Sequence, residues 1–349
     1  MPFRVVPPTP GPPVAVLAVD GGNSKADLAL IADDGGLLAA VRGPTISHQA
    51  RGGTGPAVAA LGPILAAALE RAGIAPRAHG PLARIAVLAV AGADTPRDVR
   101  LLRRAFGRLG LAERLVVLTD AFGALRAGTD DGIGAVVICG SGSNMLAVGP
   151  AGRLAAYPAL GEIAGDWGGG GSIGPAGLTA ALRGRDGRGP RTILERLVPA
   201  QFGLVRPLDV TYALYRGRLR PEALRDLAPI VFQAAAEGDP VARFIIDQQA
   251  DEIVAMATAA LRRVRALRAA IPVVLAGGIF RASDPAFHAR IRAGLAAAAP
   301  RAEIRRLDAP PVLGAALLGL DALGLAGSVA ARLRATLTEE AIVPIVAAR

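Results

Sequence analysis

The chain has 349 residues, 52% of them hydrophobic, with a formal net charge of +10; this is long enough for two domains of ordinary size and a sizeable core. Scattered arginines, as in "ALRRVRALRAA", and only 3% aromatics make no basic stripe with stacking rings, so nucleic-acid binding is only a weak alternative. Cys139 is the only cysteine, so an internal disulfide and any all-cysteine metal or iron–sulfur site within one chain are excluded too.

The chain opens on "MPFRVVPPTPGPP", proline-rich and without a continuous apolar run, so no signal peptide is expected. "VLAVDGGNSKADLALI" (16–31) then joins two apolar runs through an aspartate, a Gly-Gly pair and small polar residues, and a third run follows. This pattern predicts a three-strand meander. A helix over 54–72, a strand over 84–92, a helix over 96–109 and a strand over 114–120 come next. The meander then recurs in "VICGSGSNMLAVGPAGRLAAY", where Gly140 and Ser143 stand 119 positions after Gly21 and Ser24. Helices are predicted near 173–182, 189–198, 207–215, 221–237 and 240–269, followed by a strand over 271–279, a helix and a short strand over 302–308. "VLGAALLGLDALGLAGSVAA" (312–331) is the most membrane-like stretch, but Asp321 and four glycines interrupt it, so a buried helix or helix pair is expected instead of a span. The protein is expected to be cytoplasmic.

A meander followed by helix-separated parallel strands, occurring twice, predicts an α/β fold of two related domains, each a mixed sheet flanked by helices. The expected boundaries are 14–125 and 126–325, with a C-terminal helix or tail over 326–349 packing back on the first domain. A ligand cleft is expected between the domains.

The turns suggest chemistry. Gly21 and Gly22 let backbone amides approach an anion, Ser24 adds a hydroxyl and Lys25 a charge; Gly140, Ser141, Gly142 and Ser143 repeat the arrangement. Neither turn has the Gly-Lys-Ser/Thr and following helix of a Walker loop, and a Rossmann turn fails for the same reason. Asp20, beside a phosphate cluster, needs a divalent cation such as magnesium between the charges; otherwise it forms the turn itself. His48, His79 and His288 are far apart and give zinc no local support. Asp120 ends a strand and opens a helix, a position that suits either a helix cap or a catalytic group.

Two meander-bearing domains with paired phosphate turns resemble the actin/hexokinase/heat-shock ATPase superfamily, whose domains have the ribonuclease H-like fold. Within it, "DGGNSKADLAL", "LTDAFGAL", "ICGSGSN", "GDWGGGGSIG", "DGRGPRTIL" and "VVLAGGIFRASD" resemble the BadF/BadG-type ATPase family, which includes N-acetylglucosamine kinases. The resemblance implies ATP and Mg2+ as cofactors and transfer of the γ-phosphoryl group to an amino-sugar hydroxyl, the 6-hydroxyl. It makes Asp120 the general base that takes the hydroxyl proton, and places Asn23 with the first phosphate turn and Gly277 and Gly278 against the adenosine. Sugar contacts are implied at Asp120, Ser141, Gly161 and Asp166, and at Ser47 and His48, where the relatives commonly have Asn. Trp167 replaces a Glu, and the glycine run after it is longer than in the relatives, which suggests a mobile loop. The expected partners are ATP and a small sugar, in a homodimer, with no nucleic acid or membrane. The alternative is an ATPase that powers a partner enzyme; the activators of this type hold an iron–sulfur cluster, which a single cysteine disfavours.

Overall fold

Strand β1 (Val14–Gly21) is apolar along nearly its whole length, as a strand covered on both faces must be. It pairs antiparallel with β2 (Lys25–Ile31), and β2 with β3 (Leu37–Pro44), giving the first meander. The chain continues through α1 (Thr54–Ala72), β4 (Ala83–Val90), α2 (Pro96–Gly107), β5 (Ala112–Leu118) and α3 (Asp120–Gly128). Strand β4 lies parallel to β1, and β5 parallel to β4. The second meander is β6 (Gly134–Cys139), β7 (Ser143–Val148) and β8 (Leu154–Ala156). Five helices follow: α4 (Gly170–Asp186), α5 (Leu194–Ala200), α6 (Pro207–Tyr215), α7 (Ala228–Ala236) and α8 (Pro240–Arg263). Then come β9 (Pro272–Ala276), α9 (Pro285–Ala298), β10 (Glu303–Arg306), α10 (Pro311–Ala322), α11 (Ser328–Thr336) and β11 (Val343–Pro344). This computed structural model describes residues 14–75, 80–325 and 327–345; the proline-rich start and His79 lie outside the described residues.

The two sheets have the orders β11-β3-β2-β1-β4-β5 and β10-β9-β6-β7-β8. Each sheet is thus a meander whose first strand also pairs with a parallel partner, and the duplication read from the sequence is present in the topology. Several predicted helices are shorter than expected. The segment 221–237 begins as a 3-10 turn (Pro221–Leu227) before α7, and α5 starts only at Leu194.

The chain forms two compact units, one of Met1–Ala127 with Asp308–Arg349 and the other of Gly128–Leu307. This differs from the boundary expected at 325, because α10 belongs with the first sheet. Val16, Ala18, Ala29, Val87 and Ala89 face one side of that sheet and pack with Leu313, Ala316, Leu317 and Leu320 of α10. Gly319 makes the approach close: a Cβ there would lie 2.4 Å from Val16 Cγ1. On the other face Leu17, Val19, Leu28 and Leu88 pack with Leu61, Ile64 and Phe106 from α1 and α2. The apolar stretch 312–331 is therefore a buried helix followed by the start of α11, and Asp321 within it is held by Arg126, whose Nε and Nη2 donate to Oδ2 and Oδ1 at 2.7 and 3.0 Å. Among the described residues no helix is long and apolar enough to cross a membrane. The second unit has one core, centred on α8, with Ile246, Ala250, Ile253 and Ala257 fully buried beneath β6 and β7.

Candidate active site

In the first unit, three parallel strands deliver acids to their carboxyl ends, where ligand sites gather in α/β sheets. Asp20 is the penultimate residue of β1, Asp94 follows β4 and Asp120 follows β5. Thr119 Oγ1 lies 3.2 Å from both Asp94 Oδ1 and Asp120 Oδ1, so its single proton is shared between the two carboxylates. Burial pushes the Asp20 carboxyl well above the usual carboxylate range, and the charges of Asp120 and Asp27 push it the same way, against Lys25 and Arg42. Asp27 itself is buried and bound bidentately by Arg42, whose Nε and Nη2 donate at 2.7 Å each. Arg42 also donates to Glu339 Oε1 at 2.7 Å.

The last paired residues of the first turn are Gly21 and Ala26, which leaves 22–25 in the turn. Gly21 is packed, since a Cβ would lie 2.8 Å from Ile46 Cγ1, whereas Gly22, Asn23 and Ser24 are at the surface or close to it. Lys25 Nζ lies 3.7 Å from Glu339 Oε1 and 4.0 Å from Asp27 Oδ2, the two acids that Arg42 also binds. The loop over 43–53 is tied to this turn: the Thr45 hydroxyl donates to Gly22 O at 2.6 Å and Ser47 N donates to Thr45 Oγ1 at 3.0 Å. Ser47 is fully buried and its Oγ accepts from Ala50 N at 3.5 Å. His48 follows, with Nε2 4.0 Å from Asp98 Oδ1 and Nδ1 buried without a hydrogen-bond partner. A buried polar atom left unpaired is costly unless a ligand or water completes it.

In the second unit the turn is tighter, with Cys139 and Ser143 as its last pair and only 140–142 between them. Cys139 occupies the place that Asp20 has in the first sheet; burial pushes its thiol up to about 12, so it stays neutral. Gly140 and Gly142 have open space around their Cα atoms and no left-handed backbone, so neither packing nor conformation requires glycine there. Ser143 is buried and its hydroxyl donates to Trp167 O at 3.3 Å, so it does not repeat the exposed position of Ser24.

The glycine run after Trp167 is not a loose loop, because its four successive amides are all engaged. Gly168 N donates to Ser172 Oγ at 3.0 Å and Gly169 N to Gln249 Oε1 at 2.7 Å. Gly170 N and Gly171 N donate to Gly140 O and Ser141 O, each at 2.8 Å. Side chains are ruled out by contact: a Cβ on Gly169 would lie 2.6 Å from Gly142 O, and one on Gly171 2.8 Å from Ser141 O. The N-terminus of α4 thus rests on the second turn, which satisfies the orphan amides of a helix start. Gly277, with φ +107°, also abuts this turn; a Cβ would lie 2.3 Å from Cys139 O, while Gly278 is open. Gly161 opens a short 3-10 turn (Gly161–Ala164), and its carbonyl accepts from Asp166 N at 3.1 Å. Asp166 Oδ2 is buried without a partner and burial raises its carboxyl, against a backbone hydrogen bond from Leu160. Trp167 packs partly buried against the second core.

The predicted residues thus fall into two groups. Asp20, Gly21, Gly22, Asn23, Ser24, Lys25, Ser47, His48 and Asp120 lie in the first unit; Gly140, Ser141, Gly142, Ser143, Gly161, Asp166, Gly277 and Gly278 lie in the second. Sequence reading missed Asp94, Arg42, Ser172 and Gln249. Asp94 had a signal, an acid just beyond an apolar strand; Gln249 had none, being one polar residue in a long helix.

The family model described as "BadF/BadG/BcrA/BcrD ATPase family" matches residues 17–319. The chain belongs to this family. Among its relatives, the N-acetylmuramic acid/N-acetylglucosamine kinase of Clostridium acetobutylicum is 30% identical over 55% of this chain and 63% of its own length. The match therefore spans less than two thirds of that kinase. The N-acetyl-D-glucosamine kinase of Dictyostelium discoideum is 26% identical over 67% of this chain and 74% of its own. A solved structure of a candidate N-acetylglucosamine kinase from Chromobacterium violaceum superposes with a TM-score of 0.70 at 25% identity, covering 88% of this BadF/BadG-type chain and all of that one. The α/β fold of two helix-flanked mixed sheets is therefore the fold of these kinases.

Proposed function

We propose that this chain is an ATP-dependent sugar kinase that transfers the γ-phosphoryl group to a hydroxyl, the 6-hydroxyl, of an N-acylated amino sugar. The observation that carries the reading is the pair of carboxylates Asp20 and Asp120 at the carboxyl ends of β1 and β5, the two strands that flank β4, beside an exposed glycine turn. Phosphoryl transfer is mostly positioning and charge neutralisation, with one base to orient the nucleophile. Asp120 takes that role: it accepts the proton of the attacking hydroxyl, and the Thr119 hydroxyl holds its Oδ1 in place. The exposed turn at 22–24 and the open space about the Cα atoms of Gly140 and Gly142 suit phosphate oxygens, and Gly278 leaves room for the flat face of adenine. The unpaired Nδ1 of His48 and Oδ2 of Asp166 suit sugar hydroxyls or an acetamido N–H.

Mg2+ fits Asp20, whose carboxyl oxygen is a hard donor crowded by two other carboxylates. Among the described residues no group of three or more His, Cys, Asp or Glu forms a protein cage, so water and phosphate oxygens would have to complete the shell of such an ion. When bound, such an ion neutralises phosphate charge. The reading of the chain as an activator ATPase lacks support, because Cys139 is alone and buried.

A coupled assay of ADP release with glucosamine, N-acetylglucosamine, N-acetylmuramic acid, N-acetylmannosamine and glucose tests the proposal. Release that requires an N-acetylated sugar supports it. Release independent of every sugar, or none with any of them, overturns it.

A further inference from the structure

The second unit contains a buried amide whose position is not explained by packing. Gln249 lies in the middle of α8, fully buried among Ile246, Ala250 and Ile253. A buried amide in an apolar helix face costs stability unless its polar atoms are paired, and here each end finds a different partner. Oε1 accepts from Gly169 N at 2.7 Å, and Nε2 lies 3.8 Å from Cys139 Sγ, within sulfur hydrogen-bond range. Cys139 is the residue immediately before the second glycine turn, and Gly169 belongs to the run that follows Asp166 and Trp167. One side chain therefore touches both segments from inside the core.

The same two segments are tied again from the turn side. Gly170 N and Gly171 N donate to Gly140 O and Ser141 O, and the Ser143 hydroxyl donates to Trp167 O at 3.3 Å. Gly168 N is held by Ser172 Oγ, which itself donates to Glu162 Oε1 at 3.1 Å. Glycine is obligatory at the centre of this arrangement, since a Cβ on Gly168 would lie 2.6 Å from Ser143 Oγ and 2.9 Å from Gln249 Nε2. The two segments cannot shift independently while these bonds hold.

We infer that Gln249 is a positioning residue that couples the phosphate turn at 140–142 to the substrate-facing segment at Asp166 and Trp167, so that nucleotide binding and sugar binding reinforce each other. The inference rests on the kinase reading above. If both ligand sites hang on one buried amide, a ligand that orders one segment lowers the ordering cost of the other, and the coupling is reciprocal.

The experiment is calorimetric titration of the full chain with the sugar that supports ADP release, with and without a non-hydrolysable ATP analogue. For the wild type the analogue is expected to tighten sugar binding by about fivefold or more. Gln249→Met keeps the volume but removes the acceptor; it is expected to bring that factor to within twofold of one and to lower kcat by roughly 10- to 100-fold. Hydrogen exchange of the 168–171 amides should speed up in the same variant. Gln249→Glu, which keeps the carbonyl-type acceptor, should restore most of the coupling. Ser172→Ala, which frees Gly168 N and the Glu162 carboxylate but leaves Gln249 in place, should lower it partly and serves if Gln249→Met does not fold.

A wild-type factor of one overturns the inference, as does a factor that Gln249→Met and Ser172→Ala both leave unchanged. A uniform loss of both affinities with unchanged coupling shows a merely structural role and overturns it too. A wild type that binds neither ligand is a different result: it removes the kinase reading, and the inference with it.

Discussion

The turns after β1 and β6 hold equivalent places in two sheets that share a five-strand order, β11 being extra in the first, yet they are built from different materials. The first follows Asp20, with Asp94 and Asp120 beyond the ends of β4 and β5 and the Asp27–Arg42–Glu339 ion pairs in the same unit. The second has the neutral thiol of Cys139 where Asp20 would be, and the four amides of 168–171 dock against its flank and into the core. Duplication has kept the frame and divided the labour. One turn is surrounded by charge, the other is fixed by glycine backbone.

This contrast can be broken in a graded way. The largest effect is expected at the charged turn: Asp120→Asn should lower kcat by roughly two to four decades, the range for losing a general base, without lowering Tm. Near-normal turnover would remove Asp120 from the chemistry. Next comes the packed turn. Gly277→Ala combines a left-handed backbone with a Cβ 2.3 Å from Cys139 O, and should cost about 3 kcal/mol, or a Tm loss of about 6–12 °C by calorimetry. Gly140→Ala and Gly142→Ala meet nothing within 4 Å, so Tm should hold while KM for ATP rises about tenfold as the added methyl holds phosphate away from the turn. An equal Tm loss at Gly140 and Gly277 would show that both glycines serve packing alone.

The next effect is one of pH. A carboxyl raised in the folded state binds its proton more tightly there than in the unfolded chain, so ionised Asp20 costs stability as pH climbs above the usual carboxylate range. Asp20→Asn should therefore raise Tm of the ligand-free protein at pH 8, and the gain should fade toward pH 4, while kinase activity is lost. A gain that does not vary with pH would argue against charge crowding. The smallest effect is expected at Lys25, whose half-exposed ammonium pairs with Glu339 and Asp27. Lys25→Ala should change KM for ATP less than twofold, because such pairs are worth little; a tenfold rise would place Lys25 on phosphate.

The meanders were legible because strands have a period of two, glycine marks their turns, and the pattern occurs twice. The acids at the strand ends were legible one at a time; only the structure shows that Asp94 shares the Thr119 hydroxyl with Asp120. The stretch 312–331 announced burial through its composition, but hydropathy does not say which sheet a helix covers, and so the boundary at 325 was misplaced. The glycine run was ambiguous for a physical reason: the missing Cβ permits motion and close packing alike, and only the neighbours at 140–142 decide between them.

The C-terminal return of the chain has a consequence for synthesis. The second unit is one unbroken stretch, Gly128–Leu307, whereas the first is assembled from both ends. Strand β11 lies parallel to β3, Ile345 N donates to Arg42 O at 2.8 Å, and Glu339 completes the ion pairs of Arg42. On a ribosome the second unit has all its residues before the first has its outer strand and half its helical cover. A nascent chain stopped short of residue 339 would carry Asp20, Asp94 and Asp120 on an open sheet, with the apolar face of β1 and β4 bare if it also lacked α10. The segment after Leu307 therefore acts as the closing stitch of a sheet whose other strands were made long before it.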